Sequence, residues 1–248
     1  MSARPLPPAG RSKGVKREMK VRLFFAVAIG AAVSAGASAA LINVVDYSTL
    51  TTISVEEFDS FADGNYDNII EGDGIAFGER FYNQSLELDD DFDVISGSPT
   101  GGYLSLLAGD PNDNLAVSTI TSESTVLAGL GYRGFGVPQA FGEGAVSILF
   151  EHDHFEFGIS VVAATAGPLQ FDFYKRDGTF LHTIVIDDLV DGGYGFRHQF
   201  EQYDIAGVVI TNHDAGGLAF DAVYYNAVPT PTALTLFAAA ALLRRRRR

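Results

Sequence analysis

The 248-residue sequence predicts an all-β fold, antiparallel sheets packed as a β-sandwich or jelly roll. Three observations carry this. Short runs rich in β-branched and aromatic residues recur along the chain, bounded by Gly, Asp, Asn and Pro. No amphipathic segment long enough for a buried helix interrupts them. Cysteine is absent, so stability must come from a packed core, and a domain of this length can bury one.

In chain order, residues 1–40 read as a signal peptide. Basic residues from Arg4 to Arg22 precede the apolar run "LFFAVAIGAAV" and then the small-residue stretch "SAGASAA". Ala37 and Ala39 frame an Ala-x-Ala cleavage site for signal peptidase. The apolar run has 11 residues, short of the ~18–20 that a spanning helix needs. Met19 opens "MKVRLFFAVAIG", which alone has the form of a signal peptide and offers an alternative start.

The body, residues 41–227, is the β-sandwich domain. Its early strands are read in "TISVEEF", "GIAFGERF", "SLELD", "GYLSLLA" and "NLAVSTI". "STVLAGLGYRG" is read as a short turn of helix. "VSILFE" and "FEFGISVV" flank "HDH", which predicts a hairpin there. "LQFDFYKRDGTFLHTIVID" predicts another, turning at Asp177-Gly178 because glycine tolerates positive φ. "IAGVVITN" and "GLAFDAVYYN" are read as the last two strands.

Trimming both ends leaves five basic against 30 acidic residues, a net charge of −25 in place of −14. Such a surface repels phosphate backbones and disfavours nucleic acid. No Gly-x-Ser-x-Gly, HExxH or P-loop occurs, and Gly129, Gly131 and Gly134 have a GxGxxG spacing without a βαβ context. His152 and His154 have a spacing that can ligate a metal from one strand face, but a polar turn is the preferred reading. Paired carboxylates carry little signal among so many acids. Tyr103, Tyr132, Tyr194, Tyr224 and Tyr225 are candidates for stacking on sugar rings, with core packing as the competing explanation. Calcium is the ion that suits these oxygen ligands. "DDDFD" and "DPNDN" are acidic loops, and neither has the order of an EF-hand.

The last 21 residues, 228–248, have a different character. Val228-Pro229-Thr230-Pro231 precedes the apolar run from Thr232 to Leu243, and Arg244, Arg245, Arg246, Arg247 and Arg248 follow. As a short hydrophobic helix the run rises about 18 Å, against a hydrocarbon core of about 30 Å. The arginines favour the cytoplasmic side, which leaves the body outside.

Motif, apolar helix and basic end together resemble the PEP-CTERM sorting signal of exported bacterial proteins, with Thr230 where the family usually has Glu. The resemblance implies an exosortase-like sorting enzyme as partner and transient association with the inner membrane. It implies a final place at the cell surface or outer envelope, or in the extracellular medium. The body is similar to the β-sandwich such proteins often carry, in "SVEEFDSFADGNYDNIIEGDGIAFGERF" and "VVITNHDAGGLAFDAVYYN". That implies a non-enzymatic structural or adhesive role in an exopolysaccharide or biofilm matrix, with polysaccharide as a partner. Carbohydrate-binding jelly rolls often tie an acid of the first strand to an Asp of the last through Ca²⁺. Glu56, Glu57 and Asp221 hold comparable places, with solvated surface acids as the other reading. The alternatives for function are a carbohydrate-binding module with structural calcium and a carbohydrate-active hydrolase.

Overall fold

The computed structural model describes residues 41–226, apart from 52, 90–91, 100–101, 122–123, 137–140, 166 and 214–215. Its first strands are β1 (Ile42–Asp46), β2 (Ile53–Glu57), β3 (Gly64–Tyr66), β4 (Ile70–Glu71) and β5 (Ile75–Gly78). Four short strands follow: β6 (Arg80–Phe81), β7 (Ser85–Asp89), β8 (Phe92–Ser96) and β9 (Leu106–Leu107). Next come β10 (Leu115–Thr121), β11 (Ser124–Leu130), β12 (Phe141–Gly144), β13 (Val146–His154) and β14 (Glu156–Val162). The chain closes with β15 (Leu169–Tyr174), β16 (Phe180–Ile186), β17 (Gly192–His198), β18 (Ile205–Asn212) and β19 (Ala219–Asn226). Only two short 3₁₀ turns, Tyr47–Thr49 and Phe58–Ser60, are helical among the described residues. No helix among those residues is long and apolar enough to cross a membrane.

The strands pair antiparallel throughout. A nine-stranded sheet runs β1-β17-β14-β19-β11-β10-β3, with β2 also on β19 and β12 on β11. A six-stranded sheet runs β16-β15-β18-β13-β5-β4. Their inner faces share one core. Phe157, Phe196 and Val223 of the first meet Phe77, Ile148, Phe171, Phe173 and Val208 of the second. Phe196 lies at its centre, stacked on Phe157 at 5.6 Å and tilted against Phe171 at 4.5 Å. Fully burying one such ring contributes about 1.5–3 kcal/mol. In a chain with neither Trp nor Cys, the phenylalanines supply the bulk that holds the two layers together.

The six-stranded sheet is covered on its outer face as well. Two small ribbons, β6–β9 and β7–β8, and the segment before β9 lie over it, so Phe81, Ile95 and Leu104 pack on Tyr174, Ala206 and Val209. This second core explains why β18 is apolar on both faces, with Val208 and Ile210 in one core and Ala206 and Val209 in the other. Strands buried twice lose the clean alternation that marks a half-buried one.

The hairpin predicted at Asp177-Gly178 forms as β15–β16. Gly178 has φ +80° and Thr179 donates its N–H to the Asp177 side chain at 2.9 Å. Two expectations are corrected. "HDH" is not a hairpin: β13 continues through His154, and the chain then crosses at Phe155 into β14 of the other sheet. The second correction is Ser124–Leu130, a fully paired strand rather than a helical turn, with Val126, Leu127 and Ala128 buried.

Candidate functional site

Ala37, Ala39, the Val228–Pro231 motif and Arg244 to Arg248 lie outside the described residues. The three acids singled out for calcium lie within them, each with its own surroundings. β2 pairs with β19 so that Glu56 stands opposite Val223 and Glu57 opposite Ala222. Glu56 therefore faces inward, where it is buried and accepts the Asp73 N–H at 3.0 Å. Glu57, the next residue, points the other way and is exposed. Asp221 accepts the Ser124 hydroxyl at 2.5 Å.

Beside Glu56 lies an open cleft of about 320 Å³, with Glu71 and Glu151 at its polar edge and Ile75 and Phe150 on its wall. Tyr225, in the core behind it, donates its hydroxyl to the Asp73 carbonyl. His154 is held edge-on between Phe150 and Tyr225, with ring centroids at 4.7 and 5.5 Å. Burial drives its pKa down to about 4, against the pull of Asp153, so the imidazole is neutral at neutral pH. His152 is exposed, 4.0 Å from Glu151. One histidine is thus buried and the other in solvent, unlike a pair of ligands on one face. The cleft offers hydrogen-bond acceptors to a hydroxyl-rich or cationic ligand, from a wall that is apolar.

Of the tyrosines considered for sugar stacking, Tyr103 is 83% and Tyr132 46% exposed. Tyr225 is core, Tyr224 meets Tyr47 edge-on at 4.7 Å, and Tyr194 donates to the Val190 carbonyl at 2.8 Å. Tyr82 was not singled out from the sequence, yet it is exposed and donates its N–H to Ser105, two residues from Tyr103.

The most completely built polar group is one the sequence does not mark. Glu156 of β14 is 2% exposed and collects donors from three separate parts of the chain. Thr51 donates its N–H at 2.7 Å and also its hydroxyl, and Asn226 donates its amide at 2.9 Å. Arg197 of β17 closes a two-nitrogen fork at 2.8 Å on the other oxygen. Burial raises the Glu156 pKa, but these donors outweigh it and hold the carboxyl below its ordinary value. The arrangement clasps the start of the body, at Thr51, to its last strand, at Asn226. No signal in the sequence could have found it, because the partners are spread from residue 51 to residue 226. No protein-family model matches the chain and no curated protein matches it in sequence, so its site is read from its own geometry.

Proposed function

We propose that this chain is an exported, non-enzymatic β-sandwich protein of jelly-roll type. In this reading it is sorted through its C-terminal tail and serves as a structural or adhesive component of an exopolysaccharide matrix. The tail is the Val228-Pro229-Thr230-Pro231 motif, a short hydrophobic helix and the five arginines, and the leader is removed near Ala39. The acidic body, at −25, keeps such a protein soluble outside the cell.

The observation that carries the reading is how the body is held where the tail leaves it. Asn226 ends β19, which pairs with β14 on one side and β2 on the other. Its side chain is buried and exchanges two hydrogen bonds with Glu156, donating at 2.9 Å and accepting at 3.2 Å. A load applied through the tail is met in shear by two ladders of backbone hydrogen bonds, not peeled from an edge. That suits a protein held by its C-terminal end.

The test is expression of the full chain in a bacterium with and without its exosortase, followed by the mass and location of the product. The expected outcome is loss of the leader in both strains and trimming near Pro231 only where exosortase is present. Pro229→Ala with Pro231→Ala should abolish that trimming. An intact tail in both strains would overturn the sorting reading. Turnover of a polysaccharide by the purified product would overturn the non-enzymatic one.

A further inference from the structure

The open cleft lies on the outer face of the six-stranded sheet, at the edge away from β16. Strand register builds it. Glu71 of β4 stands opposite Ala76 of β5, and Ala76 stands opposite Leu149 of β13. Residues directly opposite share a face, so these three side chains form one row. Glu151, two residues past Leu149, falls on the same face. It is exposed, as is Glu71. Gly74, at φ +77°, turns the chain into β5, and its carbonyl accepts the Glu151 N–H at 2.9 Å. A Cβ at Gly74 would lie 4.0 Å from Glu151 Oε2, so that carboxylate stands over bare backbone. At about 320 Å³ the cleft is at the low end of ligand sites, about 300–1,000 Å³. Its acids are unspent. The Glu71 side chain has no hydrogen-bond or ion-pair partner among the described residues, and Glu151 has the exposed His152 at 4.0 Å.

The five basic side chains of the body are all engaged elsewhere. Arg80 pairs with Glu79, Lys175 with Asp204, Arg176 with Asp153 and Arg197 with Glu156. Arg133 lies over the Tyr132 ring, 5.7 Å from its centre. A uronate-bearing polysaccharide would thus meet a body of net charge −25 whose cations are already committed. A polymer carrying amines meets the opposite field, and the cleft offers it two carboxylates beside an apolar floor.

We propose that this cleft binds an amine-bearing sugar unit, a hexosamine whose nitrogen carries no acyl group, within the exopolysaccharide. The inference rests on the adhesive reading above and names the class of polymer. The ammonium is met by Glu71 and Glu151, and the apolar face of the ring lies on Ala76 and Leu149. The cleft is open, so the bound unit need not be a chain end. Exposed charge pairs are individually weak, and retention comes from repetition, many copies of the protein meeting many amines along one strand. An acetyl group on the nitrogen removes the charge that the two acids recognise.

The experiment measures binding of the full chain at pH 6, where both acids are ionised, to three immobilised polymers. These are a polymer of glucosamine, the same polymer fully N-acetylated, and a neutral glucan. The free-amine polymer should bind, with the other two at least about tenfold weaker. Glu71→Gln and Glu151→Gln should each weaken that binding about threefold, and together about tenfold. Both residues are exposed, so neither change touches the core. Asp187→Asn with Asp188→Asn makes the same change of charge just after β16, at the opposite edge of the sheet, and should leave the affinity unaltered. Equal losses in the two double variants would reduce the binding to attraction by overall charge and overturn the site. Equal or stronger binding to the acetylated polymer or the glucan would overturn the choice of an amine while leaving the adhesive reading in place. Binding to none of the three would overturn the proposal. Sorting is read separately, from the mass of the exported product, so failure here and failure there are distinguishable.

Discussion

Glu156 and Asp93 are both acids with almost no exposed surface, yet their surroundings are opposite. Glu156 receives donors from Thr51, Asn226 and Arg197, and its carboxyl is held below its ordinary value. Asp93 receives none, has acids for neighbours, and is pushed up to about 7. Burial is common to both, so burial does not decide what a buried acid contributes. The donors do: a carboxylate with every lone pair met stabilises the fold, and one without them is a charge in search of a counterion.

The largest test of that difference is Glu156→Ala. It strands the Arg197 guanidinium, the Asn226 amide and the Thr51 N–H together, and should cost about 3–5 kcal/mol in urea unfolding. A loss below about 1 kcal/mol would mean that solvent replaces the clasp without penalty. Asp93→Asn should do the reverse, raising stability at neutral pH. The folded-state pKa of Asp93 lies above the unfolded value, so its favourable contribution is complete at low pH and is lost as pH rises through about 7. The advantage of the variant should therefore grow by about 3 kcal/mol between pH 5 and pH 8. A pH-independent difference would break the contrast with Glu156.

His154 supplies the opposite sign. Its folded pKa, about 4, lies below the unfolded value, so its contribution is complete above about pH 6.5 and is lost as pH falls toward 4. Between pH 5 and 6.5 the two groups offset each other, and each single variant should expose the slope of the other. His154→Phe keeps an aromatic ring between Phe150 and Tyr225. Relative to wild type it should gain about 2 kcal/mol on going from pH 7.5 to pH 5, measured by urea midpoints at each pH. Equal losses in variant and wild type would remove His154 from the acid limb.

The contrast also marks how far the sequence could be read. The all-β character was legible because strands such as Val146–His154 and Ile205–Asn212 are dense in β-branched and aromatic residues. The hairpin at Gly178 was legible because its turn chemistry is local. β17, "GGYGFRH", was not among the strands read, since its glycines have low strand propensity. Their reason is tertiary: a Cβ at Gly193 would lie 2.6 Å from the Tyr47 ring. The sheet change at Phe155 was hidden likewise, because nothing local says which sheet a strand will join. Asp93 and Asp113 stood in visibly acidic stretches, but their meeting depends on β8 folding back over the six-stranded sheet. The acids chosen from the sequence, Glu56, Glu57 and Asp221, were picked by their places in the first and last strands, and place alone does not count donors.

Glu56 sharpens the comparison because it falls between the extremes. It is 8% exposed, and its Oε2 accepts one N–H, from Asp73 at 3.0 Å. Gly72 lies against it so closely that a Cβ there would sit 2.4 Å from that oxygen. Glu56→Gln retains an oxygen that can accept the Asp73 N–H and removes only the charge. If donors set the contribution of a buried acid, this change should cost less than about 1 kcal/mol in urea unfolding, the smallest effect of the series. Gly72→Ala, which drives the carboxylate off its donor, should cost more than Glu56→Gln does. The order of the two losses is the sensitive quantity. Were Glu56→Gln to cost as much as Glu156→Ala, charge rather than donor count would govern these acids, and the contrast between Glu156 and Asp93 would lose its basis.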